Sequence, residues 1–257
     1  MEYSASTNQT SDRTIAILSF HKIGEPPPNG WESWFYIPET TFVDHLTYLQ
    51  KNNWQVIDLA TFLQGLTTPE ILPKRSALLT FDDGYQSMLT TAVPLLLKFA
   101  YPSVIFVPTD FIGKHNSFDT DCEPEEPICT WDELRQLERS NVSVQPHGVT
   151  HRAFSYLSLA EQEEELSRSK ATLEAGLKKP VDIFCYPYGD DGQDPQTIKK
   201  VLQRVGYQAA CLYGGDPVSV AEASANPYRL PRLAMGPDTD LQAILNPEAV
   251  PSVVFQS

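Results

Sequence analysis

The chain has 257 residues, enough to bury a sizeable core in one unit of the length that α/β barrels commonly reach. With 41% hydrophobic and 20% charged residues, its make-up is that of an ordinary soluble globular protein. A net charge of −14 argues against a nucleic-acid partner, since phosphate binding draws on Lys and Arg; neutral or cationic substrates fit better.

Met1 to Arg13 is polar and has no basic start leading into an apolar stretch. It reads as a flexible tail, neither a signal peptide nor a membrane span. By sequence the protein therefore stays in the cytoplasm, unless a leader has been removed. Residues 14–257 hold no dividing linker and no repeat, so a single domain is expected there. Apolar runs at Thr14–Phe20, Gln55–Leu59, Ala77–Phe81, Ser103–Val107, Val142–Gln145, Asp182–Tyr186, Tyr207–Leu212 and Tyr228–Leu233 read as strands. Helical patterns lie between them: Phe42, Leu46 and Leu49 share one face, as do Leu166, Leu173 and Leu177. Thr130–Glu133 and Ser158–Glu161 fit the capping box, in which cap and N3 side chains satisfy each other's backbone donors. The run Glu163–Glu165 then reads as the solvated face of the second of these helices.

Strands alternating with helices imply a parallel sheet, closed into a barrel or doubly wound. His21, Asp82, Asp83, Thr109, Asp110, His147 and Tyr188 all follow the carboxyl ends of predicted strands. That is the face on which barrel enzymes assemble sites from separate loops. No GxGxxG or Walker loop follows any strand, so a nucleotide site has no support.

The run Ala77–Phe81 ends in two adjacent carboxylates, Asp82 and Asp83, followed by Gly84. Acids placed where a buried strand ends are costly unless a metal, hydrogen bonds or protonation relieve them. Consecutive acids beside a Gly also form caps and turns, and alone that is the simpler reading. His147 and His151 change the balance. Their i, i+4 spacing brings two imidazoles together if one helical turn follows, and Pro146 and Gly148 suggest that the segment starts in a turn. One Asp and two His make a three-ligand set with an open position, as a hydrolytic zinc-like site requires. Side chains of successive residues at a strand end point apart, so the second Asp is free to act as a base. Imidazole and carboxylate suit zinc, cobalt, nickel and iron alike. His45, beside an apolar helix face, and His115, in a polar loop, read as structural. None of the four cysteines has CxxC spacing. Cys122 and Cys129 flank an acidic loop and could bridge if the compartment is oxidising, whereas Cys185 and Cys211 read as core residues.

Thr80-Phe-Asp-Asp-Gly84, the pair His147 and His151, and Tyr186-Pro-Tyr-Gly189 together resemble the polysaccharide deacetylases, carbohydrate esterase family 4, over roughly His21 to Arg232. An opening strand ending in Phe20-His21 is similar to the circularly permuted branch of that family, typified by poly-N-acetylglucosamine deacetylases. The resemblance implies a distorted, incomplete (β/α) barrel with about seven parallel strands. It implies a metal-dependent hydrolase that removes N-acetyl groups from N-acetylglucosamine-containing poly- or oligosaccharide. Residue by residue, it implies Asp83, His147 and His151 as ligands of one divalent metal, zinc first, with nickel, cobalt or iron as alternatives. Asp82 becomes the base that activates water on that metal, and the Tyr188 backbone N–H holds the oxyanion. Many members take their general acid from a Leu-x-His motif near the C-terminus. Asp240–Ser257 contains no histidine, so His21 is the substitute, at the end of a first strand that can sit beside the last.

Gly148 stands where the family usually has Ser or Thr, and Cys185 where many members have an Arg that orients the catalytic Asp. Arg232 can replace that arginine, its alternative being a structural salt bridge. The loop Gly24–Tyr36 collects four aromatics after His21. Aromatic faces suit stacking on sugar rings, so Trp31 and Trp34, with Tyr188, are expected to face the glycan; the alternative is a loop folded over the rim. Two rival functions remain: an acetyl ester or small-amide hydrolase on the same site, and a catalytically silent glycan-binding domain. A binding module has no need for a base beside a metal.

Overall fold

The alternation of apolar runs becomes a sheet folded around itself. The computed structural model describes residues 13–28 and 33–245. Its strands are β1 (Thr14–Phe20), β2 (Lys22–Ile23), β3 (Tyr36–Ile37), β4 (Gln55–Val56), β5 (Arg75–Phe81), β6 (Ser103–Val107), β7 (Val142–Pro146), β8 (Ile183–Cys185), β9 (Ala209–Cys211), β10 (Val218–Ser219) and β11 (Leu233–Ala234). The helices are α1 (Glu39–Lys51), α2 (Leu59–Thr67), α3 (Val93–Phe99), α4 (Trp131–Arg139), α5 (Leu159–Leu177), α6 (Pro195–Val205), α7 (Val220–Ala225) and α8 (Leu241–Leu245).

A seven-stranded sheet runs β10-β1-β5-β6-β7, with β11 also on β1 and β4 also on β5. Every pairing in it is parallel except the short β1–β10 contact. β1 and β5 pair along their full length, from Thr14 opposite Arg75 to Phe20 opposite Phe81. Both are buried nearly throughout, as central parallel strands must be when helices cover one face and the barrel interior the other. Side-chain alternation separates two cores. Ile15, Ile17, Leu78, Val104, Phe106, Ile183 and Ala209 face one cluster, which takes in Phe62 and Leu66 of α2 and Val220 of α7. Ala16, Leu18, Phe20 and Leu79 face another, with Phe42 and Leu46 of α1 and Leu134 of α4. A third cluster packs Phe184 and Tyr186 with Leu166 of α5 and Ile198 of α6.

β8 and β9 form a separate parallel pair, and one side chain and a few backbone bonds complete the curve where the ladder stops. At one seam Gln145 Oε1 accepts from the Asp182 and Ile183 N–H groups at 2.8 and 3.2 Å, tying β7 to β8. At the other, the Leu212 N–H donates to Leu230 and the Leu230 N–H to Ala210, both at 2.9 Å, joining β9 to the chain entering β11. The architecture is an incomplete barrel, and no closed ladder runs through the described residues.

Both expected capping boxes form, at Thr130–Glu133 and Ser158–Glu161, and Ser219–Glu222 makes another. The run expected at Gln55–Leu59 stops at Val56 because the Asp58 carboxylate caps α2, accepting from the Thr61 N–H at 2.7 Å. The run at Tyr228–Leu233 is strand only at its end, in Leu233–Ala234; upstream it makes single bridges, Leu230 to Cys211 and Arg232 to Gly214. Cys122 and Cys129 are free thiols, one exposed and one buried. Among the described residues no helix is long and apolar enough to cross a membrane. Of the tail expected at residues 1–13, all but Arg13 lies outside the described residues.

Candidate active site

β5 ends by splitting its two acids. The Asp82 N–H still donates to the Phe20 carbonyl at 2.9 Å, continuing the β1–β5 ladder. Asp83 then turns into the left-handed region at φ 68°, a conformation Asp tolerates better than most residues, and Gly84 follows at φ 76°. A Cβ on Gly84 would stand 3.0 Å from Val107, so the turn passes close against β6. The two carboxylates consequently face different partners.

Asp83 faces the histidine pair. Its Oδ1 lies 3.1 Å from His151 Nε2 and 3.5 Å from His147 Nε2, and all three side chains are buried. His147 Nδ1 is 2.8 Å from the Cys185 carbonyl. A carbonyl only accepts, so Nδ1 carries the proton and donates, and the Nε2 lone pair is turned toward Asp83. Burial pushes the His147 pKa down to about 4 against the pull of Asp82. The imidazole is then neutral near pH 7, and its approach to Asp83 is no ion pair. Burial alone would raise the Asp83 pKa, but His151, with His21 and His147, outweighs it and holds the carboxyl below its ordinary value. The buried Asp83 Oδ1 has no hydrogen-bond partner. An anionic oxygen and inward-facing imidazole nitrogens, all within 4.8 Å of one another, fit a divalent cation.

The segment carrying both imidazoles is braced from behind by Glu165 of α5. Its Oε2 accepts from the N–H groups of Val149 (2.5 Å) and Thr150 (3.0 Å), and its Oε1 from the Thr150 hydroxyl (2.6 Å). Gly148, at φ 77°, is what admits this carboxylate: a Cβ there would sit 2.8 Å from Oε2. Glu165 is only 6% exposed, so the solvated reading of Glu163–Glu165 is corrected at its last residue. The helical period places position 165 on the same stripe as Leu166 and Leu173, and a charge count cannot register that.

Asp82 faces the other way, to Arg232. The guanidinium grips it in two parallel bonds, Nη1 to Oδ1 at 2.7 Å and Nη2 to Oδ2 at 2.8 Å. Nε donates to the Leu212 carbonyl at 2.6 Å, and Nη1 also donates to the Thr80 hydroxyl at 3.1 Å. Arg232 is 1% exposed, and these four bonds offset part of the cost of burying the charge pair. Burial raises the Asp82 pKa, yet Arg232 outweighs it and keeps the carboxyl below its ordinary value. His21 follows β1 with Nε2 3.8 Å from Asp82 Oδ2, its ring 4.5 Å from Phe35 and 5.7 Å from Tyr213. Burial lowers the His21 pKa, opposed by Asp82 and Asp83. Cys185 Sγ lies 3.9 Å from Asp82 Oδ1, beside the carboxylate that Arg232 grips.

Tyr188 completes the ring of residues. It sits at φ 58° in the turn after β8, where the Gly189 N–H donates to Tyr186 and the Asp190 N–H to Pro187. Those bonds do not engage the Tyr188 N–H. His21, Asp82, Asp83, His147, His151, Tyr188 and Arg232 all line one cavity of about 200 Å³, together with Tyr213 and Asp119. Asp119 comes from the segment between β6 and α4, anchored by Asn116 Nδ2 at 2.6 Å and the Tyr85 hydroxyl at 3.1 Å. Burial and the neighbouring Asp83 raise its pKa to about 6. Lys22 and Glu123, a buried pair 2.8 Å apart, pin the same segment over the site. No local signal marks these contacts, because their partners lie far apart in sequence. Trp34 does not line the cavity; its indole N–H donates to Asp238 at 3.0 Å, and its ring lies against Gly236. Trp31 lies outside the described residues. His45 is buried with Nε2 3.1 Å from the Thr239 carbonyl, and His115 is exposed in its loop.

With this geometry in place, the sequence comparison decides the family: the polysaccharide deacetylase sequence profile matches residues 70–210, more than half of the chain. The chain belongs to the polysaccharide deacetylase family. Among its relatives, the Bacillus subtilis protein YxkH is 24% identical over 195 residues, covering 76% of this chain and 62% of YxkH. The poly-beta-1,6-N-acetyl-D-glucosamine N-deacetylase of Escherichia coli K12 is 23% identical over 223 residues, covering 73% of this chain and 32% of that protein. The chain thus spans less than two thirds of the length of either relative. The deacetylase PplD of Streptococcus pyogenes superposes with a TM-score of 0.76 at 20% identity, over 90% of this chain and 96% of PplD. The chain therefore shares PplD's fold over nearly its whole described length.

Proposed function

We propose that this polysaccharide deacetylase is a metal-dependent hydrolase that removes N-acetyl groups from N-acetylglucosamine-containing poly- or oligosaccharide, with residues 14–257 as its catalytic domain. The observation that carries the reading is the division of labour at the end of β5: Asp83 faces two imidazoles while Asp82, in the same cavity, is locked by Arg232. The E. coli relative's activity on poly-beta-1,6-N-acetyl-D-glucosamine supports the substrate class.

Asp83, His147 and His151 would hold the cation, zinc before nickel, cobalt or iron. A divalent ion bound there supplies Lewis acidity toward a water and an acetamide carbonyl. The chain's own residues do the rest. Arg232 keeps Asp82 anionic and fixes its orientation, so Asp82 accepts the proton of the attacking water. The Tyr188 N–H, unused by its own turn, donates to the oxyanion as the tetrahedral centre forms. Protonating the amine leaving group falls to His21. Burial lowers that imidazole's pKa against the pull of Asp82 and Asp83. Its Nε2 lies 3.8 Å from Asp82 Oδ2, beside the carboxylate that takes the water's proton.

The test is acetate release from N-acetylglucosamine oligomers, with and without chelator, across several divalent metals. The expected result is turnover that chelator abolishes and one or more added metals restore. Acetate release unaffected by exhaustive chelation would remove the metal from the reading.

A further inference from the structure

His147 belongs to two clusters of buried donors. One is the set with Asp83 and His151; the other is Asp82, His147 and Cys185, whose ligand atoms also lie within 4.8 Å of one another. The Cys185 Sγ is 3.9 Å from Asp82 Oδ1, with the thiol as donor. A carboxylate offers about four lone-pair positions, and Arg232 takes one on each oxygen, so Oδ1 has a second to offer. Asp82 and His147 both line the catalytic cavity, so an ion entering it meets them, with Cys185 just behind.

The two clusters differ in chemistry. The Asp83 set offers nitrogen and oxygen alone, whereas the Asp82 set adds sulfur, and thiolate favours soft cations such as copper(I). Charge separates them further. Burial pushes the Cys185 pKa well up, opposed by Arg232, and a thiol that coordinates a cation gives up its proton. Asp82 and that thiolate make two negative charges, of which Arg232 already answers one. A monovalent cation leaves this buried group neutral, and a divalent one leaves a charge uncompensated. Nor can His147 serve both clusters at once. Its Nδ1 donates to the Cys185 carbonyl at 2.8 Å, so only Nε2 has a lone pair to give.

We propose that Asp82, His147 and Cys185 form a second metal position, selective for a soft monovalent cation such as copper(I), whose filling excludes the divalent ion from the Asp83 set. On binding, the Cys185 S–H bond breaks, its proton passes to solvent and the sulfur lone pair goes to the cation; no oxidation state changes. The binding stands on the donor geometry alone. Its consequence, inhibition, rests on the catalytic reading above, since one ion withdraws both Asp82 and His147 from their roles.

Silver(I) is the probe, a soft monovalent ion that air does not oxidise. The full chain carries Cys122→Ser, which removes the exposed thiol, and is kept in chloride-free buffer. Native mass spectrometry reads bound silver, and a colorimetric indicator reads zinc released from zinc-loaded protein. The expected result is one silver bound and one zinc released per chain, while Cys185→Ala binds no silver and keeps its zinc. Cys185→Ser, which preserves side-chain size, is expected to behave in the same way and decides the matter if Cys185→Ala does not fold. Silver bound equally by the Cys185 variants overturns the site, and silver bound without release of zinc overturns the exclusion. Cys211 stands opposite Cys185 in the β8–β9 register. If Cys211→Ala loses silver as fully as the Cys185 variants do, the ion bridges two thiols and the three-residue site is overturned. Should the protein release no acetate from any N-acetylglucosamine oligomer, the deacetylase reading fails, and silver stoichiometry across the same variants still upholds or overturns this position.

Discussion

At the scale of single residues, the site depends on which way two neighbouring carboxylates point. Asp82 and Asp83 differ by one backbone step, but the left-handed turn at Asp83 sends one to an arginine and the other to two imidazoles. Asp82→Asn keeps the shape while losing the charge that accepts a proton. It is expected to bind metal normally and to lose most of its turnover; full activity would remove Asp82 as the base. His21→Ala, in the same assay, is expected to slow amide hydrolysis by about 10²–10⁴-fold if His21 is the general acid. An unchanged rate would move that role elsewhere. The Asp-Asp-Gly turn was legible because a strand end is a local property; the histidine pair was found by its spacing, but no helical turn joins the two, since Gly148 and His151 both take left-handed φ angles, 77° and 58°. The Arg232 grip on Asp82 was legible only as one of two readings, since its partner sits 150 positions away. Glu165 was misread because its neighbours Glu163 and Glu164 are solvent-facing and a run of like charges masks the one member that turns inward.

At the scale of elements, α5 and the segment after β7 act as one piece. The Glu165 carboxylate satisfies two backbone donors and a hydroxyl between the two histidines, which is more than a capping residue usually does. Truncating it leaves buried N–H groups without acceptors, at a cost of about 1–3 kcal/mol. Glu165→Ala is accordingly expected to weaken metal affinity by about 10–100-fold, the usual cost of losing a residue that orients ligands. Equilibrium dialysis against zinc would show it, and wild-type affinity would confine Glu165 to packing. The capping boxes at Thr130 and Ser158 were legible because each is a four-residue local signature. The end of the β-run at Val56 was not, because hydropathy continues through Ile57 and Leu59 while the helix cap at Asp58 decides the boundary.

At the scale of the whole molecule, the parallel sheet followed from the alternation of apolar runs, whereas the strand order and the way the sheet curls did not. Its two seams rest on side chain and loop contacts between residues with no periodic relation, Gln145 with Asp182 and Ile183, and Leu212 with Leu230. A cation bound by the native fold and not by the unfolded chain raises stability by mass action, about 2.7 kcal/mol at a hundred times Kd. Added zinc is expected to raise the Tm of wild type and to leave that of His147→Ala unmoved, in a thermal melt followed by circular dichroism.

His147 has a second attachment that gives that melt a wider meaning. The imidazole that turns one nitrogen toward Asp83 also fastens, through the other, to the carbonyl at the end of β8. With a cation on Nε2 the ring would be held at both nitrogens, a rivet between two sheets that no continuous ladder unites among the described residues. Loading and unloading the cation should therefore be felt as a change in how often the small β8–β9 pair opens, read as slower amide deuterium uptake from Ile183 to Cys211 when zinc is present.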